Sequence, residues 1–180
     1  MRIISGRFKG HPIEVSRSFK GRPTTDYARE SLFNILTHQV DFEEARVLDL
    51  FSGTGAFSLE CFSRGSEHIV AVELNAKHVM GIQKMVQKFG AESMDVIKAD
   101  AFQFAQQSAE TFDLVFCDPP FDHPKLRHLP DLVLQGALLA PDGLLIVEHP
   151  AEVKFDQHPQ LQSHRNYGHV HFSFFRHSSS

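Results

Sequence analysis

The chain has 180 residues, 42% of them hydrophobic, enough for one compact domain that buries roughly two thirds of the surface its unfolded form exposes. Its net charge of -4, taken alone, speaks against a nucleic-acid partner, which needs local positive potential. No run approaches the ~20 apolar residues that span a bilayer, and Arg2 interrupts any signal-peptide core, so a soluble, cytoplasmic protein without a membrane partner is expected.

The charge is unevenly distributed. Residues 1–30 carry seven basic residues (Arg2, Arg7, Lys9, Arg17, Lys20, Arg22, Arg29) against Glu14, Asp26 and Glu30, a net +4 that leaves -8 for the remaining 150. A basic arm on an acidic body points to an arm that touches a polyanion while the body does something else. The arm opens with two short strands, Arg2–Ser5 and His11–Val15, joined through Gly6 and Gly10 as a β-hairpin. After the loop Ser16–Pro23, Thr24 or Thr25 can cap a helix whose apolar positions Tyr27, Ala28, Leu32, Phe33, Ile35 and Leu36 recur at helical spacing.

From Arg46 onward, short apolar runs alternate with amphipathic stretches, the pattern of a parallel sheet with crossover helices. Strands are predicted at Arg46–Phe51, His68–Glu73, Asp95–Lys98, Phe112–Cys117, Leu144–Glu148, Leu161–Asn166 and Val170–Arg176. Helices are predicted at Ala56–Ser63, Ala76–Phe89, Ala101–Gln107 and Lys125–Leu139. Only Tyr167-Gly168-His169 separates the last two strands, so they should form an antiparallel hairpin at a sheet edge, with Ser178–Ser180 as a frayed end. The expected organisation is a single domain over residues 1–180. Within it, residues 1–40 form a hairpin-and-helix extension and residues 41–180 an α/β catalytic core.

The first chemical signal is Val47-Leu48-Asp49-Leu50-Phe51-Ser52-Gly53-Thr54-Gly55-Ala56, a buried strand followed by a glycine turn that enters a helix. Such a turn lets a ligand approach backbone and meet a helix N-terminus. Asp49 would repel a pyrophosphate but suits an ammonium, and Ser58 stands where a dinucleotide loop carries its third glycine. Glu73 closes the next strand, where a carboxylate can accept from both ribose hydroxyls. Asp100 follows the third strand, where it could meet an adenine amino group lined by Ala101 or Phe102. Ser52, Gly53, Gly55 and Leu74 complete the expected cofactor site for S-adenosylmethionine. Each acid also has a purely structural alternative: Asp49 as a turn stabiliser, Glu73 as a solvated strand end, Asp100 as a helix cap.

The most specific signal is Asp118-Pro119-Pro120-Phe121, placed directly after the apolar strand Phe112–Cys117 at the sheet edge where ligands bind. Two prolines stiffen the loop and remove two donors, leaving an acceptor-rich turn. The Asp118 carboxylate and Pro119 carbonyl can accept both N–H bonds of an aryl amine and hold its nitrogen for in-line methyl transfer. Phe121 offers a stacking face for an unstacked base. Asp118 is expected to border the cofactor as well. Cys117 belongs to the strand and reads as structural rather than nucleophilic, and Cys61 and Cys117 form no CxxC pair. The twelve histidines form no HxxxH or HExxH set, so no metal is expected; His123 and His149 stand near strand ends, where packing or solvation is the default role.

With these residues in place the chain resembles the RsmD family, bacterial 16S rRNA (guanine-N2)-methyltransferases, over nearly its whole length. The matching blocks are Arg2–Gly6 with Lys9-Gly10, Arg22–Asp26 with Arg29-Glu30 and Leu32-Phe33-Asn34, Asp49–Ala56, Ser63–Gly65, Asp118–Phe121, Glu148–Pro150 and Tyr167-Gly168. The glycine turn and the Asp-Pro-Pro-Phe tetrad mark many methyltransferases; the Arg22-Pro23-Thr24-Thr25-Asp26 block narrows the match. The resemblance implies a Rossmann-like, mostly parallel seven-stranded sheet with a reversed final strand, S-adenosylmethionine as cofactor, and one guanine of small-subunit rRNA as substrate. It implies that Arg22, Thr24, Thr25 and Asp26 lie near cofactor and target, with the basic hairpin of Arg7 and Lys9 contacting RNA; Arg29 is a further candidate RNA contact, and a monomer is expected. The family often carries a threonine and charged residues after Tyr-Gly, where this chain has His169-Val170-His171. Rival readings are an amino-methyltransferase of DNA adenine or protein glutamine, a noncatalytic RNA-binding module on a decayed fold, and an NAD-dependent oxidoreductase, the last disfavoured by Asp49 and Ser58.

Overall fold

The computed structural model describes residues 1–177, so Ser178–Ser180 lie outside the described residues. Seven strands, β1 (Arg46–Asp49), β2 (His68–Glu73), β3 (Met94–Lys98), β4 (Phe112–Cys117), β5 (Leu139–His149), β6 (Leu161–Tyr167) and β7 (Val170–Phe175), form one sheet in the order β3-β2-β1-β4-β5-β7-β6. β1 to β5 run parallel, whereas β7 is antiparallel to both β5 and β6. This is the expected reversed final strand and edge hairpin of a Rossmann-like methyltransferase sheet. Strand order reverses between β1 and β4, so the loops after these two strands diverge and open a crevice at the carboxyl edge.

Successive residues of each central strand enter opposite cores, as a period of two requires. Val47, Ile69, Leu114 and Ile146 pack with α1 (Asp26–Leu36), α2 (Ala56–Ser63) and α3 (Ala76–Phe89). Leu48, Val70, Val115 and Val147 pack with α4 (Ala101–Gln107) and α5 (Leu129–Gln135). Helices on both faces explain why these strands read as continuous apolar runs. The predicted bounds of α2, α3 and α4 agree with the structure, and Thr25 rather than Thr24 caps α1 by accepting from the Ala28 amide at 3.1 Å. None of the described helices is long and apolar enough to cross a membrane.

Two elements differ from expectation. The helix predicted over Lys125–Leu139 is a 3-10 turn, Leu126–His128, followed by α5, which ends at Gln135. Pro130 lacks the amide that an interior helical position must donate, so the α-helix starts beside it, and the extended Gly136 ends it. β5 therefore begins early, at Leu139, and enters its main ladder at Leu144 after a register shift opposite Phe112/Leu114. The N-terminal hairpin is the second: it pairs through a single bridge, Arg2 with Pro12, and backbone bonds such as Ile3 N to His11 O at 2.9 Å.

The hairpin is short because its amides serve another partner. Glu60 of α2, wholly buried, accepts from the amides of Ile4 (2.8 Å) and Ser5 (3.0 Å) and from Arg64 Nε at 3.0 Å. Ser63 Oγ accepts from the Phe8 amide at 2.9 Å and donates to Ser5 O at 2.6 Å. At Gly6, with φ of +85°, a Cβ would collide with the Ser63 carbonyl, so only glycine admits this contact. Removing the Glu60 carboxylate leaves the Ile4 and Ser5 amides and Arg64 Nε without their acceptor in an interface that is buried at Ile4 and part-buried beyond it. Glu60→Ala is expected to destabilise the protein by about 3–5 kcal/mol, read as a lowered urea midpoint; a loss below ~1 kcal/mol would show that the arm is not held this way.

Candidate active site

One large cavity, of about 1510 Å³, opens at the carboxyl edge of the sheet over the β1/β4 switch. It exceeds the ~300–1,000 Å³ of ordinary small-ligand sites, which leaves volume for more than one small group. Its walls come from the arm loop before α1, the turns after β1, β2, β3 and β4, the end of β5 and the β6–β7 hairpin.

The glycine turn forms one wall. Asp49, at the end of β1 and 1% exposed, has Oδ2 held by the Ser58 hydroxyl at 2.7 Å, while its buried Oδ1 has no partner. Burial pushes this carboxyl up to about 7, the Ser58 bond opposing and the Glu73 charge adding to the rise. A buried acceptor without a donor calls for a ligand donor, and a cationic one would also offset the desolvation. Ser52 and Gly53 line the cavity as expected, but Gly55 does not: with φ of +79° it caps α2, and a Cβ there would press on Ile82 of α3. Its requirement is helix packing rather than ligand contact.

Glu73 and Asp100 both line the cavity, and each also has a structural role. Glu73 Oε2 accepts from the Gly53 amide at 2.7 Å and Oε1 from the Asn75 amide at 3.0 Å, which clamps the two turns together and fixes the carboxylate's direction. Asp100 caps α4 through the Gln103 amide at 3.0 Å. Each carboxylate oxygen keeps a second lone pair for a ligand, so the alternatives are not exclusive. Leu74 (63% exposed), Ala101 and Phe102 line the same region, and Phe102 stacks on His123 with ring centroids 4.7 Å apart.

Opposite stands the loop after β4. Asp118, Pro119 and Phe121 all face the cavity; Pro119 is buried, whereas Phe121 is 42% exposed at the rim. The Asp118 carboxyl is raised well above the usual carboxylate range, first by burial, then by the neighbouring Glu148 and Asp49 charges and its hydrogen bond with Glu148. Glu148 at the end of β5, 3% exposed, is pushed up to about 7 by burial, tempered by Thr24 and Asp118. Thr24 Oγ1 lies 2.8 and 3.0 Å from the two Glu148 oxygens, so the arm loop closes directly on this acidic pair. Phe57 and Phe116, stacked at 4.0 Å, also line the cavity.

The basic residues divide. Arg22 is exposed on the rim, and Thr24, Thr25 and Arg29 line the wall. Asp26 lies outside it, paired with Arg29 Nη2 at 2.6 Å and Arg2 Nε at 3.7 Å. Arg7 and Lys9 are exposed on the hairpin and do not line the cavity; the Arg7 guanidinium lies over Phe8, 4.8 Å from the ring centroid. Sequence reasoning did not assign Glu148, Phe19, Tyr27 or Tyr167 to the site. An acid ending the apolar run Leu144–Val147 was the available signal for Glu148, and Phe19 near Gly53 had none. Burial raises the Cys117 thiol well above its ordinary range, which keeps it inert. His149 is buried between Pro150 O (2.9 Å) and Ser173 Oγ (2.7 Å) and lowered by burial to about 4, a packing role.

Known proteins resemble this chain over nearly all of its length. The family model described as conserved hypothetical protein 95 matches residues 1–176. The chain is 33% identical over 152 residues to the ribosomal RNA small subunit methyltransferase D of Escherichia coli (strain K12), covering 84% of this chain and 76% of that protein. It is 32% identical over 161 residues to the putative rRNA methyltransferase YlbH of Bacillus subtilis (strain 168), covering 87% and 86%. The solved structure of the putative methyltransferase yhhF from Escherichia coli superposes with a TM-score of 0.85 at 30% identity, covering 99% of each chain. A fold, a cavity and a sequence that agree over almost the entire length place this chain in the RsmD family, that of the ribosomal RNA small subunit methyltransferases D.

Proposed function

We propose that this protein transfers a methyl group from S-adenosylmethionine to the exocyclic N2 amino group of a guanine in 16S rRNA, within the assembling or assembled small ribosomal subunit, in the cytoplasm. The observation that carries the reading is the sharing of one cavity by the rigid Asp118–Phe121 turn and the glycine turn, with Asp49 Oδ1 left without a donor. The relatives' activity on small-subunit rRNA supports the choice of substrate.

In this reading S-adenosylmethionine supplies an electrophilic sulfonium methyl. Asp49 Oδ1 would accept from its ammonium, Glu73 from the ribose hydroxyls and Asp100 from the adenine amino group, with Leu74, Ala101 and Phe102 as the apolar lining on that side. The Asp118 carboxyl and the Pro119 carbonyl hold the two N–H bonds of the target amine, and Phe121 stacks on the extruded base. An arylamine nitrogen must shed a proton as it gains a methyl. Burial and the neighbouring charge raise both the Asp118 and the Glu148 carboxyl toward proton uptake, so an ionised oxygen of the pair would receive that proton, and Thr24 keeps Glu148 in place. Residues 1–40 act as the RNA-facing extension of a single domain, with Arg7, Lys9 and Arg22 meeting the phosphate backbone and the folded rRNA read by shape.

Incubation with labelled S-adenosylmethionine and unmethylated small subunits, followed by nucleoside analysis, should yield N2-methylguanosine; label in DNA or protein instead would assign the site to a different amine. Asp118→Ala is expected to lower transfer at least about 100-fold with cofactor affinity within a few fold, whereas retained turnover would remove Asp118 from its role. A cationic ligand needs ionised Asp49, so below about pH 7 it competes with a proton. Calorimetric affinity for S-adenosylhomocysteine should fall about tenfold from about pH 8 to about pH 6 in the wild type and stay flat in Asp49→Asn; a flat wild-type profile would contradict the assignment. Neutralising Arg7, Lys9 and Arg22 together should reduce the log–log salt slope of RNA binding by about two units, and an unchanged slope would take the arm out of the interface.

A further inference from the structure

Arg29 is the least exposed arginine of the basic arm, at 3%, and it stands in the wall of the cavity rather than on an outer face. Its Nη2 is fully used, donating to Arg2 O at 2.7 Å and to Asp26 Oδ1 at 2.6 Å. Its Nε and Nη1 are buried and have no partner. Three of the five N–H groups of a permanently charged guanidinium are therefore left without acceptors inside the molecule. Among the described residues the buried polar atoms without partners also include Asp49 Oδ1, an orphan acceptor of opposite sign lining the same cavity.

An unpaired buried donor set and an unpaired buried acceptor at one cavity are the complement of a zwitterion. The ligand class that carries an ammonium and a carboxylate on one carbon is an α-amino acid, which is how S-adenosylmethionine ends. We infer that Arg29 binds the carboxylate of the cofactor's methionine end while Asp49 binds its ammonium. The inference rests on the reading of this cavity as an S-adenosylmethionine site and assigns Arg29 to the cofactor instead of to RNA. Burial decides between the two anions. An RNA phosphate stays on the polynucleotide backbone, and the base that enters the cavity carries no negative charge, whereas exposed Arg22 on the rim is available to phosphate. Asp26, held outside the cavity, then acts as a positioning residue, occupying one end of the guanidinium and turning the remaining donors toward the ligand.

Calorimetry tests this with two ligands, S-adenosylhomocysteine and its decarboxylated analogue, on the wild type, Arg29→Met and Arg29→Lys. The wild type should bind the decarboxylated analogue about 10- to 100-fold more weakly, the range of a charge-assisted hydrogen bond. Arg29→Met should lose a similar factor for S-adenosylhomocysteine and nothing further for the analogue, because the two changes delete the same contact. Arg29→Lys keeps the charge beside Asp26 and withdraws Nε and Nη1, so it guards against a folding defect; it should also lose at least about tenfold for S-adenosylhomocysteine alone. Equal wild-type affinity for both ligands, or substituted proteins that bind S-adenosylhomocysteine as the wild type does and lose only RNA binding, would overturn the assignment while leaving the cofactor reading intact. A wild type that binds neither ligand would overturn the cofactor reading and this inference with it.

Discussion

Three carboxylates, Asp49, Asp118 and Glu148, end the adjacent strands β1, β4 and β5 around one cavity with apolar side chains in its walls. They cannot all be ionised there without large desolvation and mutual repulsion, and all three are accordingly raised above the ordinary carboxylate range. The rest of the site can be understood as relief of that constraint. Ser58 stabilises one oxygen of Asp49, Thr24 stabilises Glu148, and the neighbouring Glu148 charge adds to burial in holding Asp118 above the ordinary carboxylate range. What remains is one acceptor on Asp49 that the protein does not satisfy, and this is where a cationic ligand gains most.

The second requirement is that two distant stretches of chain be held together. Thr24 and Arg29 reach the cavity because the segment before them is anchored to α2, where Glu60 and Ser63 take up the amides of Ile4, Ser5 and Phe8. The same anchoring costs the hairpin its cross-strand ladder. The Asp26 and Arg29 pair joins the start of α1 to Arg2, so the basic arm is a structural part of the cleft and not an appendage. Its outward residues Arg7 and Lys9 are exposed away from the cavity, Arg7 lying over the Phe8 ring, while Arg29 is buried in the cavity wall.

The α/β class, the central strands, the bounds of three helices and the two turns that line the cavity were legible in the sequence. These follow from local rules: apolar period, capping residues and the stiffness of Pro119-Pro120 hold whatever the rest of the chain does. How far the N-terminal hairpin pairs was not legible, because it depends on a carboxylate 56 positions away in the chain, whereas the start of α5 beside Pro130 is a local signal that the apolar spacing over Lys125–Leu139 masked. Nor did the sequence distinguish Gly53, which faces the cavity, from Gly55, which faces α3. Only the tertiary structure decided that Glu148 joins Asp118, that Thr24 closes on it, and that Arg29 turns inward, since direction and burial of a side chain are set by what packs on every side of it.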